Sequence, residues 1–161
     1  MTELHLLRHA HAGDPAAWDG PDEDRPLSDK GERQAERLGS FLAGVRFKPD
    51  VFITSPKVRA ARTAEIVAGH LHAEVKVDDR LAGAFGLAAL ERLLTDSGDP
   101  RRPVIVGHDP DFSDLLALLS GTSHAPMRKG AFALVEIDRP LAAGAGTLRW
   151  LIPPDLLKPE R

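Results

Sequence analysis

The sequence contains no cysteine, which removes disulfide cross-links, thiolate zinc sites and thiol nucleophiles together and suits a reducing compartment. It also lacks a surplus of positive charge: 21 Lys and Arg stand against 24 Asp and Glu, a formal net charge of -3. No overall field therefore draws the protein to DNA, RNA or anionic lipid, although a local anion site remains compatible with that balance. No apolar run approaches the roughly 20 residues that cross a bilayer. Met1 to Arg8 carries no basic segment followed by an apolar stretch and a small-residue cleavage site. Neither a Gly-rich P-loop nor an acidic cluster for magnesium is found. The expectation is a soluble, cytoplasmic protein without nucleic-acid or membrane partners.

What is present is an ordinary globular composition, 42% hydrophobic and 28% charged over 161 residues, which predicts one domain spanning 1–161. Short apolar segments at Leu4–Leu7, Val51–Ile53, Val75–Val77 and Val104–Val106 suit buried strands. Between them, apolar residues recur at spacings of three and four over Gly31–Val45, Val58–Leu71, Leu87–Leu94 and Phe112–Leu119, which predicts helices. That alternation implies a three-layer α/β/α fold: a mostly parallel twisted sheet with helices on both faces and ligands at the carboxyl ends of the strands. Ala131–Ile137 and Thr147–Ile152 flank a Gly, Pro and Ala-rich connection and fit an antiparallel edge pair. Ala12 to Pro26 holds too many breakers for a regular element and reads as a surface loop beside the first strand. Ser28 then fits the N-cap of the first helix.

Three of the predicted strand ends carry chemistry-bearing residues. Arg8 and His9 follow the first strand, with His11 close behind; Gly107-His108-Asp109-Pro110 follows the fourth. The second strand runs into Thr54-Ser55-Pro56-Lys57-Val58-Arg59, where Arg59 lies within one turn of the helix start and can reach back over the sheet. Gly107 is expected to let backbone approach a ligand closely, and Arg62 to lie on a solvated face. Two histidines and one or two arginines call for an anion and a nucleophile. A neutral imidazole attacks phosphorus well, while arginines and a second, protonated imidazole stabilise the phosphoryl oxygens. Phosphoryl transfer through phosphohistidine, without metal or other cofactor, is the chemistry this set suggests.

Leu6-Leu7-Arg8-His9-Ala10, Leu27-Ser28-x-x-Gly31-x-x-Gln34-Ala35, Ser55-Pro56-x-x-Arg59-Ala60-x-x-Thr63-Ala64 and Val106-Gly107-His108 resemble the histidine phosphatase, or phosphoglycerate mutase-like, superfamily. The short length, Gly107-His108-Asp109-Pro110 and the ending Trp150-Leu151-Ile152-Pro153-Pro154 are most similar to its SixA-type phosphohistidine phosphatases. The resemblance implies that His9 is the nucleophile, that Arg8, Arg59 and His108 hold the phosphoryl oxygens, and that Asp109 belongs with them in the phosphate pocket. SixA-like relatives act on phosphorylated proteins such as phosphotransfer domains of signalling relays, which implies a phosphoprotein or a small phosphorylated substrate as partner.

Two departures from the family pattern bear on substrate. Many relatives follow the Arg-His pair with Gly and then Glu or Asp, whereas this chain has Ala10 and His11; His11 either lines the pocket or faces solvent. Relatives that cleave phosphate monoesters carry an acid after the third strand, whereas Leu81–Leu90 holds none and Asp78, Asp79 and Glu91 only flank the gap. Asp14, Asp22, Glu23 or Asp24 of the loop could fold over the site instead. An alkoxide leaves poorly without protonation, while a phosphorylated imidazole can be protonated beforehand. Missing acid thus favours phosphohistidine. The alternatives are a phosphatase for small monoesters or polyphosphate and a non-catalytic phosphate- or phosphopeptide-binding module. The His9-x-His11 pair also resembles amidohydrolase metal ligands, but that chemistry needs a barrel of roughly 250 residues. A core position is expected for Trp150, and His5, His70, His72 and His124 are expected to have structural roles.

Overall fold

The computed structural model describes residues 1–159. Among these, six strands form one sheet in the order β3-β2-β4-β1-β5-β6. The strands are β1 (Thr2–Arg8), β2 (Val51–Thr54), β3 (Val75–Val77), β4 (Pro103–Gly107), β5 (Phe132–Ile137) and β6 (Thr147–Ile152); the helices are α1 (Asp29–Gly44), α2 (Val58–Leu71), α3 (Leu87–Asp96) and α4 (Asp111–Ser120). Pairing is parallel through β3, β2, β4 and β1, and antiparallel from β1 to β5 and from β5 to β6.

The sheet separates two hydrophobic layers because side chains alternate along each strand. Leu4 and Leu6 of β1 and Ile105 of β4 join the layer built on α3 and α4, with Phe85, Leu90, Leu94, Phe112 and Leu116. Leu7 of β1 and Val104 and Val106 of β4 turn to the layer of α1 and α2, with Ala35, Leu38, Leu42, Ala64 and Val67. The expected three layers and antiparallel edge are present.

Ser28 caps α1 by accepting from the Gly31 amide at 3.1 Å, as its position before an acidic first turn predicts. The loop over 12–26 contains two short 3-10 turns, at Pro15–Ala17 and Asp22–Asp24, tighter than the irregular loop expected. Trp150 is a correction: it lies 44% exposed on the edge strand β6 rather than in the core. β6 is the outermost strand on its side of the sheet, and its first four residues are all exposed.

Candidate active site

The sheet order sets the site. β4 lies between β1 and β2, so the three parallel strands end side by side at Arg8, Gly107 and Thr54. Their extensions are tied together: the His9 amide donates to the Gly107 carbonyl, and the Ser55 amide to the Val106 carbonyl, both at 3.0 Å. His9 and His108 thereby meet, with ring centroids 5.2 Å apart.

His9 is buried, and its Nδ1 lies 2.8 Å from the carbonyl oxygen of Ala10. A carbonyl only accepts, so Nδ1 carries the proton and Nε2 keeps its lone pair. Burial, aided by His108, Arg59 and Arg8, lowers its pKa to about 3, opposed by the Ala10 hydrogen bond. The imidazole is therefore neutral at pH 7. Thr63 braces this segment, because its hydroxyl donates to the Arg59 carbonyl at 2.7 Å and accepts the Ala10 amide at 3.1 Å.

His108 differs from the expectation of a protonated imidazole. Burial and the neighbouring Lys57 and Arg59 charges lower its pKa to about 4, against the opposing pull of Asp22. Its Nε2 lies 2.7 Å from the hydroxyl of fully buried Ser55, while its buried Nδ1 has no hydrogen-bond partner among the described residues.

Arg8 donates from Nη1 to the Met127 carbonyl at 2.7 Å and lies 3.4 Å from Asp109. Asp109 in turn accepts from the Ser113 amide and hydroxyl at 3.0 and 2.6 Å, and the Ser113 hydroxyl accepts the Met127 amide at 2.8 Å. Asp109 is thus placed to hold Arg8 and the start of α4; as an anion it would repel a phosphoryl group rather than bind it. The buried Nε atoms of Arg8 and Arg59 have no partner among the described residues.

Arg59 is buried at the start of α2 and meets the loop, donating to the Asp22 carbonyl at 2.8 Å and the Asp22 carboxylate at 3.0 Å. Of the four loop acids considered, Asp22 is the one that folds onto an expected site residue. Hydrogen bonding to Arg25, with further help from Arg59, holds its carboxyl below the usual range, so it carries no proton at neutral pH. Buried Arg25 anchors the loop from beneath by donating to the Ala12 carbonyl at 3.0 Å. Asp78 and Glu91, which flank the acid-free segment, are engaged by Arg80 and Arg139.

The remaining motif residues have packing explanations. Gln34 accepts the His11 amide at 2.9 Å. A Cβ on Gly31 would collide with the His11 carbonyl oxygen, which explains a glycine inside a helix. At Gly107 the space is taken by the Phe112 ring, 2.6 Å from where a Cβ would stand, rather than reserved for a ligand. His11 is half-buried against Ser28 and lines a cavity with Arg8. Arg62 lies on the partly solvated face expected, paired with Glu32 and Glu65. Sequence reasoning gave no role to Ser55 or Thr63, although a hydroxyl beside a proline at a strand end is a signal that could have been followed.

Among the described residues no three His, Asp or Glu side chains gather as metal ligands, and no helix is long and apolar enough to cross a membrane.

The model of the histidine phosphatase superfamily (branch 1) matches residues 4–96, and the chain belongs to that superfamily. It is accordingly a phosphatase. It is 30% identical to the phosphohistidine phosphatase SixA of Escherichia coli, over 97% of this chain and 96% of that protein. A structure of the protein histidine phosphatase SixA complexed with tungstate matches with a TM-score of 0.82, at 24% identity, over 98% of this chain and 100% of the other. The mycobacterial glucosyl-3-phosphoglycerate phosphatase in complex with VO3 matches at 0.67 with 18% identity, over 92% and 97%. The fold thus also occurs in a phosphatase whose name specifies a small phosphorylated sugar acid.

Proposed function

We propose that the chain is a phosphohistidine phosphatase acting on a phosphorylated histidine of a signalling protein, by metal-free transfer through His9. In the first step the Nε2 lone pair of His9 attacks phosphorus in line. The bond from phosphorus to the substrate imidazole breaks, and its electron pair stays on that nitrogen. In the second step water attacks phosphorus and the electron pair of the broken bond returns to His9 Nε2. The water proton leaves with phosphate or solvent. Nδ1 keeps its proton throughout, donating it to the Ala10 carbonyl.

Arg8 and Arg59 balance the charge of the phosphoryl oxygens. His108 starts neutral; a phosphoryl dianion beside it favours the protonated form and draws the imidazole toward donation. Asp109 acts through Arg8. The observation that carries the transfer mechanism is a buried, neutral imidazole held through Nδ1 by the Ala10 carbonyl, beside His108.

The preference for phosphohistidine rests on Asp22. It is the loop carboxylate that reaches Arg59, and its lowered pKa makes it a poor proton donor to an alkoxide. Likeness to SixA supports the same substrate class. In the small-ester reading a carboxylate such as Asp22, or His11, supplies the proton.

The test compares wild type with His9→Ala, without added metal and again with EDTA, on a phosphohistidine-bearing protein and on p-nitrophenyl phosphate. Preference for the phosphoprotein, insensitive to EDTA and lost with His9, is expected. Equal or faster ester turnover would overturn the substrate assignment, and activity lost to EDTA and restored by a divalent metal would overturn the mechanism.

A further inference from the structure

A second charged feature adjoins Arg8 and is not used by the transfer chemistry. A cavity of about 300 Å³ is lined by Arg8, His11, Lys30, Arg128, Lys129 and Asp155, together with Gln34 and Pro154. Four Lys and Arg side chains therefore face one carboxylate. Asp155 is held only loosely, 3.8 Å from Arg128 and 3.4 Å from Lys158. Neither Lys30 nor Lys129 makes an ion pair among the described residues, in a chain where most other basic groups near an acid do.

The cations are held in register with the nucleophile. The Gly130 amide donates to the carbonyls of both Arg8 and His9, at 3.1 and 2.9 Å, so Lys129 is fixed one residue from the backbone of the transfer site. Lys30 is brought in by α1, whose first turn lies against the His11 carbonyl through Gly31. Burial and the charges of Arg8, Arg25, Arg59 and Lys30 all push the Lys129 ammonium below its usual pKa. His11 is lowered likewise, by burial and then by Lys129, Lys30 and Arg25. Such unrelieved repulsion is compensated when an anion binds.

We propose that this cavity binds a second anionic group of the substrate, a carboxylate or phosphate carried next to the phosphoryl group that His9 accepts. The inference rests on the proposed function only for the position of the reacting phosphorus. With a phosphoprotein the second anion is an acidic side chain near the phosphohistidine; with a small molecule it is a further carboxylate or phosphate. One cationic cavity serves either source.

Two matched substrate pairs separate them: phosphohistidine peptides with Glu or Gln flanking the phosphorylated residue, and 3-phosphoglycerate against glycerol 3-phosphate. Wild type is expected to favour the Glu peptide about tenfold through KM, and the ratio should fall to about one in Lys129→Ala and invert in Lys129→Glu. Thermal melting of each variant establishes that it is folded. A preference confined to the small-molecule pair, without peptide turnover, would keep the second-anion site and remove the phosphoprotein substrate. A ratio of one in wild type for every pair that is turned over, or a ratio unmoved by both Lys129 variants, would overturn the proposal.

Discussion

The hydroxyl of Ser55 lies 2.7 Å from Nε2 of His108 and also accepts the Lys57 amide at 3.2 Å. Because Ser55 is fully buried, its single proton has the imidazole as its acceptor. The proton of neutral His108 is then on Nδ1, the atom that has no partner among the described residues. Ser55 is thus a positioning residue that fixes which nitrogen of His108 can donate.

Ser55→Ala should lower kcat by about tenfold, the equivalent of the roughly 1.4 kcal/mol typical of a lost buried hydrogen bond. The pH profile of kcat should shift with it, because the removed partner distinguishes the two protonation states of His108. A variant with unchanged kcat and unchanged profile would remove this role.

Asp22→Ala should strengthen binding of inorganic phosphate several-fold, because the carboxylate engages the guanidinium proposed to meet the phosphoryl oxygens. Isothermal titration calorimetry measures this directly. If Asp22 were instead the proton donor of an esterase, the same substitution would lower ester kcat by about 100-fold or more.

Acid should destabilise the fold through its buried imidazoles. His5, His9 and His108 have folded pKa values of about 4, 3 and 4, below the 6.5 of an exposed histidine. Unfolded chains therefore bind the extra protons, so stability is complete above pH 6.5 and is lost as pH falls toward 4. For His5 alone the loss by pH 5 is about 2 kcal/mol. Melting temperature should drop markedly between pH 7.5 and 5, and the three histidines should not titrate over that range by NMR in the folded protein.

Gly31→Ala should cost about 2 kcal/mol and lower the melting temperature by about 4–8 °C, since its Cβ meets the immobile backbone of His11. Activity should fall with it, because His11 follows directly on the Arg8–Ala10 segment. An unchanged melting temperature would show that α1 can move away at no cost.

Much of the fold was legible because its signals are local. Val104–Val106 is apolar on both faces and Leu4–Leu7 nearly so, with His5 the one polar residue, as strands covered on both sides tend to be, and Ser28 marks a helix start by its own side chain. Trp150 was misplaced although its strand reads as part of an edge pair, because a large aromatic ring in a strand suggests burial while the sequence does not show how far the helices cover that edge. In the candidate site, Arg8, His9, Arg59 and His108 could be picked out by their places after strands. Their proton states could not, since these depend on burial and on partners such as Ala10 and Ser55 whose geometry only the folded chain defines. The same holds for the Asp22 contact and for Lys129, where separation along the chain conceals adjacency in space.

The insertion of β4 between β1 and β2 also bears on how activity appears during folding. Segments near residues 8, 55 and 108 become neighbours only after the last of the three parallel strands has paired. No fragment ending before β4 can hold even an approximate constellation. Recovery of turnover after dilution from denaturant should therefore coincide with the slowest conformational phase rather than precede it.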